Sequence, residues 1–75
     1  MYLLREEYFN FFKEIRRSIY ADYLGCDPSY ISSILNGSKA CSELVAKSII
    51  CTRLNITIKD PEMQSCLDKY FVKER

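Results

Sequence analysis

Seventy-five residues allow one small domain, spanning 1–75, with little core to spare and no space for a second. Hydrophobic residues make up 48% and aromatic residues 13%, which excludes a disordered chain, while a formal net charge of +1 excludes a strongly basic protein. No run approaches the roughly 18 apolar residues of a membrane span, and the acids in MYLLREEYF fall where a signal peptide would keep its apolar stretch, so a cytoplasmic protein with no membrane partner is expected.

Residues 2–15 carry Leu4, Tyr8, Phe11, Phe12 and Ile15 at helical spacing, which predicts helix one. Helix two follows over Arg17–Leu24, with Tyr20, Ala21 and Leu24 on its inner face and Gly25 in the place of a left-handed exit. Asp27-Pro28 is an N-cap followed by a proline whose missing N–H would have had no partner anyway, so helix three begins there. It runs to residue 35, with Ile31, Ile34 and Leu35 apolar and Ser29, Ser32 and Ser33 on a small polar face, and it stops at Asn36-Gly37. Ser42-Glu43 opens helix four, whose broad apolar face is Val45, Ala46, Ile49, Ile50 and Leu54, with Asn55 as its end. Residues 55–59 are the best strand candidate but are short and read equally well as a connection. Asp60-Pro61-Glu62 repeats the cap-and-proline start, and Met63, Leu67, Tyr70 and Phe71 then carry helix five into a charged tail. Tyr2, Phe9, Ile19 and Tyr23 fall outside the core faces by helical phase.

Cys26, Cys41, Cys51 and Cys66 form no C-x-x-C pair, and the chain has no histidine, so no metal site is expected and the cysteines read as small buried or half-buried thiols. The positive charge is uneven. Residues 1–15 sum to −1, residues 16–53 to +2 and residues 54–75 to zero, so the middle segment is where a polyanion is least repelled. With no histidine, no glycine-rich phosphate loop and scattered acids, neither an enzyme nor a cofactor is indicated.

Two short helices joined by a glycine turn, with alanine where they cross, make the outline of a helix-turn-helix. Ile15, Tyr20-Ala21, Leu24-Gly25-Cys26-Asp27, Ser29-Tyr30-Ile31-Ser32 and Ile34-Leu35-Asn36-Gly37, followed by Lys39 and a new helix at Ser42, resemble the Cro/CI-type (XRE-like) family of phage and bacterial regulators. The resemblance covers residues 15–54. It implies an all-α, compact five-helix domain of the lambda-repressor-like kind, acting as a sequence-specific DNA-binding transcriptional regulator, most simply a phage or prophage repressor. It further implies that helix 28–35 enters the major groove, so that Ser29, Ser32 and Ser33 face bases and Tyr30 lies near the groove wall or a phosphate. Arg17 stands where the family commonly has a phosphate-contacting glutamine, and Asn36, Ser38 and Lys39 form the loop that lies along the backbone. The implied partner is a pseudo-palindromic double-stranded operator bound by a homodimer, with helix five and the C-terminal tail as the dimer contacts.

Serines replace the strong base readers asparagine, glutamine and arginine, and Ile19 and Tyr23 expose apolar side chains one turn apart on helix two, which the family usually keeps polar. The alternative reading is therefore the same fold used as a protein-binding module, an antirepressor or host-factor binder, with Ile19 and Tyr23 as its protein contacts.

Overall fold

The computed structural model describes residues 1–74, and these form five α-helices and two short strands: β1 (Tyr2–Leu4), α1 (Phe9–Lys13), α2 (Arg17–Leu24), α3 (Pro28–Leu35), α4 (Glu43–Leu54), α5 (Met63–Tyr70) and β2 (Phe71–Lys73). A 3-10 turn at Glu6–Tyr8 leads from β1 into α1.

The three middle helices follow their local chemistry. Gly25 ends α2 at φ 70°, and its N–H donates to the Ala21 carbonyl. The Asp27 carboxylate accepts from Ser29 N–H at 2.7 Å, with Pro28 in the first helical position of α3. The α3 exit divides its labour: Asn36 stays right-handed while Gly37 takes φ +71°. Ser42 Oγ accepts from Val45 N–H at 3.2 Å to cap α4, and Asn55 closes that helix in the left-handed region at φ 56°. Residues 55–59 form no strand and connect α4 to α5.

The two ends of the chain depart from the all-helical expectation. Residues 2–4, placed in helix one by their spacing, pair instead as an antiparallel strand with β2, Tyr2 opposite Lys73 and Leu4 opposite Phe71. Tyr2 and Leu4 are buried with Leu3 between them half-buried, which is the period of a strand; the helical rhythm from Leu4 to Ile15 takes in Leu4 but neither Tyr2 nor Leu3. Helix one accordingly shrinks to α1, and α5 ends at Tyr70, where Phe71 turns extended and enters β2. Tyr2, assigned to the surface by helical phase, is 7% exposed. Asp60 accepts from Glu62 N–H at 2.9 Å, but this cap serves a turn, and regular helix begins only at Met63.

The core gathers Phe12, Tyr20, Ile31, Ile34, Ile49, Ile50, Leu67 and Phe71, all essentially without exposed surface, so every helix and the sheet contribute to it. Tyr70 stacks on Phe11 and meets Tyr8 and Phe12 edge to face, tying α5 to α1. Cys41 is buried and the other three cysteines are half-buried, all four as free thiols. Burial pushes the Cys41 thiol up to about 11. No helix of the described residues is long and apolar enough to cross a membrane.

Candidate nucleic-acid interface

At 100° per residue, α3 turns Ile31, Ile34 and Leu35 into the core, which leaves Ser29 and Ser33 pointing outward and Ser32 and Tyr30 on opposite flanks. Ser29 is exposed, whereas Tyr30, Ser32 and Ser33 are half-buried. The serine hydroxyls are partly committed within the helix: Ser33 Oγ donates to the Ser29 carbonyl at 3.1 Å, and Asn36 Nδ2 donates to Ser32 Oγ at 3.5 Å. Ser38 Oγ donates to the Ser33 carbonyl at 3.0 Å, which makes Ser38 first of all a cap for the α3 exit.

The flank beyond Ser32 opens into a cleft of about 210 Å³ between the end of α1, the start of α2 and α3. Lys13, Arg16, Arg17, Ser32 and Asn36 line it, with Ile15 and Leu35 as its apolar wall. Three of the residues expected from the sequence, Arg17, Ser32 and Asn36, are thus brought to one place. Lys13 and Arg16 were not among them. Among the described residues no carboxylate lines the cleft, and none of its three cations takes part in an ion pair.

The opposite flank carries a fourth cation. Lys39 is exposed and holds its Nζ 5.2 Å from the centre of the Tyr30 ring, so Tyr30 pairs with the loop and stands away from the cleft. Burial raises the Tyr30 phenol above its ordinary range, so it stays a neutral donor well past neutral pH. The loop is itself anchored: Tyr2 and Cys41 exchange backbone hydrogen bonds at 2.7 and 2.8 Å, which pins residue 41 to β1 two positions after Lys39.

Two cations of the middle segment are occupied elsewhere. Arg53 Nε donates to the Phe11 carbonyl at 2.7 Å, its guanidinium lies 4.0 Å from the Phe11 ring centre, and it pairs with Glu14. Lys47 pairs with Glu43 at 3.2 Å, and Lys47, followed by the Tyr2 hydroxyl, holds the Glu43 carboxyl below its usual range. The middle segment's free positive charge, on Arg16, Arg17 and Lys39, is therefore gathered on both sides of α3. Sequence position alone had spread it from residue 16 to residue 53.

Ile19 and Tyr23 are both exposed, at 49% and 78%, but only Tyr23 borders a second, apolar groove of about 520 Å³ against α4 and residues 56–58. In comparisons with known proteins, no family model, no curated protein and no solved structure matches the chain.

Proposed function

We propose that the chain is a DNA-binding transcriptional regulator with a helix-turn-helix of the Cro/CI kind, in which α2 lies across the backbone and α3 reads the major groove. The supporting observation is the arrangement around α3. A helix face of small side chains is flanked by Lys13, Arg16 and Arg17 on one side and Lys39 on the other, with no acid in the cleft. A narrow helix face with cations along both flanks suits a groove whose two walls are phosphate strands. Arg16 and Arg17 offer forked donors that match phosphate oxygens and fix register, while Ser29 and Ser33 approach base edges. Serine bonds to several bases, so sequence preference draws on close approach, thymine methyl contacts, bridging water and groove shape. Repression follows if the occupied site overlaps that of polymerase.

Selection from a random duplex pool, followed by sequencing, tests this reading. Enrichment of one motif, with half-sites about one helical turn apart, is the expected result. A pool that stays unenriched at low salt would contradict it and move attention to the protein-binding alternative, which draws on the exposed Tyr23 and its groove.

A further inference from the structure

Ser32 and Ser33 are neighbours on α3, but their hydroxyls are committed in opposite senses. Ser33 Oγ donates to the Ser29 carbonyl at 3.1 Å, so its one proton is spent inside the helix and only lone pairs remain to face outward. Ser32 Oγ accepts from Asn36 Nδ2 at 3.5 Å and keeps its proton to give. The surroundings match these senses. Ser32 lines the cationic cleft, where a phosphate oxygen, which can only accept, would meet that proton. Ser33 stands outside the cleft, on the outward side of the helix.

The backbone beneath Ser33 is held as well. Its carbonyl accepts from Ser38 Oγ at 3.0 Å and from the N–H groups of Ser38 and Lys39 at 3.1 and 3.2 Å, so the α3 exit fixes the turn that carries the side chain. An acceptor set in advance on a fixed turn loses little freedom when it meets a donor.

We propose that Ser33 reads an exocyclic amino group in the major groove, N6 of adenine or N4 of cytosine, and that it does so as an acceptor only. This rests on the DNA reading above and narrows it, from a serine that suits several bases to one that answers a single kind of group. Phosphate oxygens, guanine O6 and N7, adenine N7 and thymine O4 all accept, and the only hydrogen-bond donors that base pairs turn to this groove are those two amines. A hydroxyl whose proton is spent therefore has no partner on the phosphate strands and one kind of partner on the base edges. Turning the proton toward a base acceptor would exchange one neutral hydrogen bond for another, whereas accepting from an amine adds a second bond to the first.

One test needs no DNA. In the free protein, three-bond couplings from the Ser33 Hβ protons should report a single χ1 rotamer, the one that returns the hydroxyl to the Ser29 carbonyl. Couplings averaged over rotamers overturn the proposal whatever the chain does with DNA. The second test uses the duplex selected as above. The position at which Ser33→Ala relaxes preference is rebuilt with purine for adenine, or 2-pyrimidinone for cytosine, which removes the amine. Wild type should lose about 5-fold more affinity than Ser33→Ala does, the worth of one neutral hydrogen bond. Any weakening of the base pair itself falls equally on both proteins and cancels in the comparison. A 7-deaza purine there, which removes the N7 acceptor, should affect both proteins alike. Alanine suits a helix, and circular dichroism verifies that the variant folds. Equal losses of the amine in the two proteins overturn the proposal, as does coupling of Ser33 to N7 alone or a motif that Ser33→Ala leaves intact at every position. Those results leave DNA binding standing, whereas a pool with no enriched motif defeats the DNA reading itself and this proposal with it.

Discussion

Tyr20 has no exposed surface, and its hydroxyl donates to the Phe12 carbonyl at 2.7 Å, satisfying one of the carbonyls left open at the end of the short helix α1. Burial pushes this phenol from 10.0 up to about 12. The folded state therefore holds the proton more tightly than the unfolded chain, and the stability this provides is complete below pH 10 and lost as pH rises toward 12. Cys41, raised to about 11 by burial, acts with the same sign over a window that begins lower. Thermal melts across this range should show a falling midpoint that is shallower in Tyr20→Phe, and the same variant should lose about 1–2 kcal/mol at neutral pH through the orphaned carbonyl. An unaltered pH profile in the variant would mean that Tyr20 is not the group responsible. The two glycines supply a cleaner comparison. Both have φ near 70°, yet a Cβ on Gly25 meets nothing within 4 Å, whereas one on Gly37 lies 2.5 Å from the Phe9 ring. Gly25→Ala should cost about 1 kcal/mol of backbone strain alone. Gly37→Ala should cost more in urea titrations, and the excess should vanish in a Phe9→Ala background; an excess that persists there contradicts the contact.

The elements differ in how far they could be read from the chain, and the cause is the range of the forces that set them. The bounds of α2, α3 and α4 follow from groups within a few residues, Gly25, Asp27-Pro28, Gly37, Ser42 and Asn55, so they were legible. β1 was not, because its partner β2 lies about seventy positions away and Tyr2-Leu3-Leu4 is too short a run to declare its period alone. The cationic cleft was half legible. Arg17, Ser32 and Asn36 follow from the motif, whereas Lys13 joins them only through the turn between α1 and α2, and Arg53 leaves the free charge only because its guanidinium reaches the exposed end of α1. Arg53 thus acts as a structural clasp. Arg53→Ala should cost about 1–3 kcal/mol in denaturant unfolding, through the freed Phe11 carbonyl and the lost packing on its ring. If the chain binds DNA as proposed, Arg53→Ala should leave the salt dependence of that binding unchanged below its melting temperature; a changed slope would place Arg53 in the interface.

The whole molecule separates two surfaces, a serine face flanked by four cations on α3 and an apolar groove beside Tyr23. If the first meets DNA, each phosphate contact removed lowers the slope of log affinity against log salt by ~0.9. Arg16→Ala and Arg17→Ala should each do so by about that amount and weaken binding to all sequences alike, whereas Ser33→Ala should reduce preference with little change in slope. A Ser33→Ala protein with undiminished preference would show that Ser33 does not read bases. The claim on which the proposal turns is that DNA meets the protein at α3 and its flanking cations. Backbone amide shifts, followed by NMR while the selected duplex is titrated in, address it most directly. They should move at Arg16, Arg17, Ser29, Ser32, Ser33, Asn36 and Lys39 and stay still at Leu44 and Ile58. Shifts confined to the Tyr23 groove, or none at all at saturating duplex, would contradict it.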